Sequence, residues 1–166
     1  MHTVNGKTVS HHYTHNAWSH ITTATHDGET ILYGYDAIGR VTSQEYAGNR
    51  VVGYQWDAAN NLEKLTWPDG YAVDYDWDAN NRIDLALNGA TVLADVGYDE
   101  QSRRDSVAYG NGTNVLYTWS ARGDLEAHDH YFSSTAVNYG FTYNGVGQME
   151  TKTLSDPSYG WAAPTT

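Results

Sequence analysis

The chain repeats a pattern of rings and bends, and a short period of this kind limits the available folds more than any other feature of the sequence. Seven segments read aromatic or apolar, any, ring, then Asp, Asn or Ser. They are Tyr13–Asn16, Tyr33–Asp36, Tyr54–Asp57, Tyr75–Asp78, Val96–Asp99, Tyr117–Ser120 and Phe141–Asn144. The anchors Asn16, Asp36, Asp57, Asp78, Asp99, Ser120 and Asn144 are spaced by 20, 21, 21, 21, 21 and 24 residues. A unit this small cannot bury an apolar face alone, so each repeat must lean on the next.

Three residues beyond each anchor stand Ser19, Gly39, Asn60, Asn81, Ser102, Gly123 and Gly147. Asp, Asn or Ser favours the first position of a type I turn, and Gly or Asn suits a fourth position with positive φ. Each anchor therefore opens a β-turn. Five residues beyond come Ile21, Val41, Leu62, Ile83, Arg104, Leu125 and Met149, and the next column is mostly polar, which predicts strands with one buried side. A second turn signal falls midway: Asp27-Gly28, Gly48-Asn49, Asp69-Gly70, Asn88-Gly89 and Asn111-Gly112. Each repeat is thus a pair of antiparallel strands of about six residues. Alternation places the rings of pairs such as Tyr54/Trp56 and Tyr75/Trp77 on one face.

No segment shows a capped helical period, so the fold class is all-β, with no helical layer to cover the sheet. Roughly fourteen successive strands should twist into a curved or spiralling, solenoid-like sheet. A single array spans residues 1–166, with 150–166 a degraded terminal segment. The final spacing of 24 residues suggests a longer loop around Ser133-Ser134-Thr135.

Composition removes several function classes. The 166 residues hold 9 Lys and Arg against 20 Asp and Glu, a net charge of -11 that repels phosphate backbones and anionic lipids. The reading therefore gives no nucleic-acid partner and no membrane insertion. There is no cysteine, which excludes disulfides and thiolate chemistry. Met1–Ser10 has one lysine and no apolar core, so no signal peptide is expected there.

The stretch Tyr33-Gly34-Tyr35-Asp36-Ala37-Ile38-Gly39-Arg40-Val41-Thr42 closely resembles the YD repeat of Rhs proteins, and Trp67-Pro68-Asp69-Gly70 resembles that repeat's later turn. The resemblance implies a β-strand spiral that in long members closes into a hollow shell around a toxin, while other members are cell-surface proteins. It assigns structural roles to Tyr33, Tyr35, Asp36, Gly39, Arg40, Tyr54, Trp56, Asp57, Tyr75, Trp77, Asp78, Tyr98, Asp99, Tyr117, Trp119, Gly123, Tyr143 and Gly147. The family's Gly-Arg pair is intact only at Gly39-Arg40, so several of its arginine bridges are expected to be missing. Asp156-Pro157 only faintly resembles the motif linked to self-cleavage, and that activity is not carried over.

Motifs that carry chemistry are scarce. No serine-nucleophile elbow, zinc-protease helix or phosphate loop is present, and the chain reads as a non-enzymatic scaffold without catalytic residues, metal or cofactor. His11, His12 and His15 could converge on a metal, but His15 occupies a ring column and reads as a substitute ring. Asp74, Asp76 and Asp78 share one strand face, which makes calcium conceivable; the favoured reading has Asp78 closing its turn and the others solvated. The rings read as core. The alternative is a carbohydrate-binding or adhesive module with Tyr and Trp facing out. Expected partners are further YD repeats of the same or a neighbouring chain, a toxin cargo or glycan, and edge-to-edge copies of itself. The expected location is secreted or on a bacterial surface, as part of a longer chain.

Overall fold

The computed structural model describes residues 2–4 and 7–159. It divides into two compact units, Met1–Asn81 and Arg82–Thr166, where the period alone suggests a single array. The first unit opens with a two-stranded antiparallel ladder, β1 (His2–Val4) and β2 (Lys7–Val9). Seven further strands follow: β3 (His11–His15), β4 (Ile21–His26), β5 (Glu29–Tyr35), β6 (Val41–Tyr46), β7 (Arg50–Trp56), β8 (Leu62–Thr66) and β9 (Ala72–Trp77). The second unit has β10 (Ile83–Asn88), β11 (Thr91–Tyr98), β12 (Arg104–Tyr109), β13 (Asn114–Trp119), β14 (Leu125–Tyr131), β15 (Ala136–Tyr143) and β16 (Met149–Leu154), then a 3-10 turn at Pro157–Tyr159. From β3 to β9 and from β10 to β16, each strand pairs antiparallel with its chain neighbours. No α-helix occurs among the described residues. Every extensive strand contact within a unit joins chain neighbours, so each unit is a single layer.

The two faces have opposite composition because side chains alternate along every strand. In the first unit a row of small residues crosses from strand to strand, Gly34 to Ser43 to Gly53 to Thr66 to Ala72. The other face pairs Tyr33 with Gln44, and Tyr54 with Leu65 and Val73. In the second unit the ring face carries the row Val96, Val107, Val115, His130 and Val137, beside Tyr117, His128 and Tyr139. The residues buried outright, Val73, Val107, Val115 and Val137, all lie on this face.

The aromatic ladder is on the more sheltered side but does not form a closed core. The ring-column residues Tyr33, Tyr35, Tyr54, Trp56, Tyr75, Trp77, Tyr98, Tyr117, Trp119 and Tyr143 are all half-buried. A ring in a single layer is covered only by neighbours on its own face, which leaves its outer side open. The fifth-residue column behaves similarly. Val41, Leu62, Ile83 and Leu125 are half-buried, whereas Ile21, Arg104 and Met149 are exposed.

Three details differ from the sequence reading. The turn expected at Asn88-Gly89 is centred one residue later, because Asn88 pairs with Thr91 and leaves Gly89-Ala90 as the two-residue loop, with Gly89 at φ 58°. The surplus of the 24-residue repeat is not in its loop. β14 and β15 run 7 and 8 residues where β12 and β13 run 6 each, and the connection Phe132–Thr135 is closed by a Phe132 N–H to Thr135 carbonyl bond of 2.8 Å. The segment expected to degrade from residue 150 starts as regular sheet, since β16 pairs with β15 from Met149 opposite Tyr143 to Leu154 opposite Tyr139. Residues 160–166 lie outside the described residues.

Close backbone packing gives a test of this register. A Cβ added at Gly110 would collide with the Val92 carbonyl, whereas one added at Gly145 would meet nothing within 4 Å. Gly110→Ala is expected to cost about 1–3 kcal/mol because backbone must shift to relieve the overlap. Gly145→Ala should be close to neutral in chemical denaturation.

Candidate functional site

The recurrent construction at one end of the strands is the part of the molecule most elaborately specified, and it is made at the same positions of each repeat. At the anchors Asn16, Asp36, Asp57, Asp99, Ser120 and Asn144, the backbone N–H donates to the carbonyl four residues on at 2.9 Å. At all seven anchors the carbonyl accepts the N–H three residues on at 2.9–3.3 Å. That third residue is left-handed every time, from φ 58° at Asn81 to 92° at Gly123. Ser19, Asn60, Asn81 and Ser102 hold this conformation without being glycine. At Gly39, His20 also lies where a Cβ would go.

The anchor side chain holds the turn from inside. Oδ1 of Asn16, Asp36, Asp57, Asp99 and Asn144 accepts both the second and the fourth N–H beyond it at 2.7–3.1 Å. Ser120 does the same through Oγ, to Arg122 and Asp124. Asp78 accepts from Asn80 at 2.8 Å. The extra residue of the turn enters the following strand as a bulge, seen as a register shift between Gly34 and Tyr35 and at the equivalent places.

The bulge presents a carbonyl that the next repeat uses. Trp56, Trp77 and Trp119 donate their indole N–H to the carbonyls of Val41, Leu62 and Arg104 at 2.7, 2.9 and 2.8 Å. Tyr35, Tyr98 and Tyr143 donate their hydroxyls to Ile21, Ile83 and Leu125 at 2.6, 3.0 and 2.9 Å. The residue that receives each bond is the fifth beyond the preceding anchor. A flat ring with a polar tip suits this role because its body shelters the strand while the tip satisfies an otherwise open acceptor.

In four repeats the residue four beyond the anchor then covers the ring. Arg40 lies over Trp56 at 5.8 Å, Arg82 over Tyr98 at 4.0 Å and Arg103 over Trp119 at 5.5 Å. His20 fills the same place over Tyr35 at 4.9 Å. Arg40 also donates to its own Asp36 and to the Asp57 carbonyl of the next turn; Arg103 does likewise with Asp99 and the Ser120 carbonyl. Asn61 joins Asp57 to Asn81 in the same way. Thus the arginine column is fuller than the Gly-Arg pair suggests, since Arg82 and Arg103 follow Asn81 and Ser102 instead of glycine.

The other candidates are dispersed. Asp74 pairs with Lys64 across the strands at 2.7 Å, and Asp78 closes the turn after β9, so Asp74, Asp76 and Asp78 do not converge. His11 contacts His26 across the strands, with Nδ1 atoms 3.2 Å apart, and no cluster of three metal-ligating side chains occurs among the described residues. Sequence reasoning missed the ring-tip bonds. Their signal was the offset of 14 or 15 residues between a Trp or Tyr and the apolar column, lengthened to 18 in the 24-residue repeat.

Anchor acidity follows from these bonds. Partial desolvation in the turn pushes Asp36 and Asp99 up, but bonds from the Arg40 and Arg103 side chains and turn N–H groups outweigh it and leave both below the ordinary carboxylate range. The Asn61 backbone N–H is the largest influence lowering Asp57. A carboxyl with a depressed folded pKa stabilises the fold above its unfolded pKa, about 3.9, and that contribution is lost as pH falls through the folded value. Thermal midpoints should therefore hold steady down to about pH 4 and fall below it. Asp57→Asn with Asp99→Asn, which keeps the acceptor used at Asn16 and Asn144, should flatten that acid limb; an unchanged limb would place its origin elsewhere. Separately, Trp77→Phe leaves the Leu62 carbonyl unpartnered and should cost about 1 kcal/mol. Trp67→Phe should cost less, since the Trp67 indole N–H has no such acceptor among the described residues.

The RHS Repeat family model matches residues 35–72. No curated protein sequence matches the chain. Among solved structures, TcdB2-TccC3-Cdc42 superposes with a TM-score of 0.77 at 15% identity, covering 90% of this chain and 9% of that one. The Photorhabdus luminescens Tc holotoxin pore gives 0.73 at 16% identity, with coverage of 88% and 9%. TcdB2-TccC3 without its hypervariable C-terminal region gives 0.75 at 16% identity, with 90% and 9%. The chain spans about 9% of the length of these toxin-complex chains, which share its fold. Residues 35–72 thus match the RHS repeat, and the chain shares the all-β fold of those structures.

Proposed function

We propose that the chain is a non-enzymatic wall segment, whose work is to hold a regular sheet in place as part of a longer RHS-type assembly. The carrying observation is that one set of contacts recurs through both units. An anchored turn supplies a bulge, a ring tip takes the bulge carbonyl, and in four repeats a cation or His20 covers the ring. Such repetition spends the specialised residues on joining repeats. The small share of each toxin-complex chain that it spans fits a piece of wall. The family resemblance adds a toxin cargo as what the wall would enclose, and secretion as its fate.

Repeat architecture predicts an unusual tolerance. Removing residues 58–78, one whole period between the Asp57 and Asp78 anchors, should leave a cooperatively unfolding β-sheet protein with a lower midpoint. Removing only residues 58–67 reverses strand direction and should abolish cooperative unfolding. Equal damage from both deletions, followed by circular dichroism and thermal melts, would contradict the proposal.

One observation favours carbohydrate binding as a second reading. The ring face is open, with Tyr71 45% and Tyr109 42% exposed. Flat rings of this kind can stack on sugars. The scaffold reading expects no saturable tryptophan quenching across a broad glycan panel, and saturable quenching by one glycan class would favour the second.

A further inference from the structure

We propose that His128 and His130 on β14 chelate a divalent cation of the Cu(II) or Ni(II) class, through His128 Nδ1 and His130 Nε2. The two residues are two apart on a strand, so both project from the ring face. Their facing nitrogens are 3.0 Å apart. The rings are held by neighbours: His128 stacks on Tyr139 at 4.4 Å and 11°, and on Phe141 at 5.5 Å. His130 meets Tyr139 edge-on at 5.9 Å. Such packing holds both rings beside each other, so that binding needs only a turn of the imidazoles that swings their facing lone pairs off the line between them and onto a shared cation.

The separation selects the metal. With metal–imidazole distances of about 2.0 Å, nitrogens 3.0 Å apart subtend roughly 95° at the cation. That is close to the right angle of tetragonal Cu(II) and Ni(II), and tight for tetrahedral Zn(II). In the empty pair one ring donates to the other. On binding, the donor moves its proton to its outer nitrogen, so both inner lone pairs face the cation with no net proton lost.

Burial pushes His128 below the usual histidine range, helped by His130 and Lys152 and opposed by Asp129. The groups around His128 are Tyr117 on β13, His130 and Asp129 on β14, Tyr139 and Phe141 on β15, and Lys152 on β16. Lys152 opposes a bound cation, while the chain's net charge of -11 favours its approach. Water fills the remaining positions.

The test titrates Cu(II) alone into the full chain at pH 7.5, following binding by calorimetry and paramagnetic broadening by NMR. The proposal expects the signals of Val137, Tyr139 and Phe141 to vanish first. His128→Phe, which keeps the stacked ring, should weaken that binding at least about tenfold, and Zn(II) should bind at least about tenfold more weakly than Cu(II). His11→Phe should leave the β14 broadening unchanged, although His11 and His26 form a similar, exposed pair. Broadening that centres elsewhere, or that survives at β14 in both His128→Phe and His130→Gln, would overturn the assignment. Preference for Zn(II) would overturn the tetragonal geometry.

Discussion

A side-chain oxygen accepting two backbone N–H groups across a left-handed residue is the constraint on which the rest of this structure hangs. It closes a turn whose extra residue must go somewhere, and it enters the next strand as a bulge. The bulge turns one carbonyl toward the adjacent repeat, where a tryptophan or tyrosine tip finds it. The ring is then fixed at its tip and, in four repeats, offers a surface to the arginine or histidine of the preceding turn. Each step needs the one before it. A turn closed any other way would shift the carbonyl and leave the ring tip with no acceptor.

This logic explains how a single layer can persist with so little outright burial. In the described residues only four valines are buried, and the ring columns keep an open side. Apolar area is therefore supplemented by polar contacts that join repeat to repeat. The chemistry can be swapped within limits. Asn16 and Asn144 anchor without charge, Ser120 anchors through a hydroxyl, and His20 covers its ring where others use arginine. What is common to them is an acceptor at the anchor, while the residue four on ranges from arginine and His20 to Asn61, Asp124 and Gln148.

Much of the fold was legible in the chain because period, turn chemistry and alternation all point the same way. The anchors and their left-handed fourth positions could be read directly, since Asp, Asn, Ser and Gly each have a local reason to be there. Long-range facts were harder. No local rule tells that Trp56 reaches the Val41 carbonyl or that Arg103 reaches the Ser120 carbonyl, because both depend on how adjacent repeats register. The extra residues after Ser120 looked like a loop, since Ser133-Ser134-Thr135 is turn-like in composition. The structure puts them into longer strands, where Tyr131 and Ala136 still pair. Likewise, whether the rings close into a core depends on a covering layer, about which a strand's own pattern is silent.

The most direct measurement is residue-resolved amide hydrogen exchange. If the anchored turn is the governing unit, the N–H groups of Arg40, Asn61, Arg103 and Gln148, which the anchors accept, exchange slowly. Those of Ala37, Ala58, Glu100 and Gly145, one residue past the anchors, exchange fast, so that protection rises and falls once per repeat. Protection out of phase with the anchors, or equal at both sets of positions, would contradict the account.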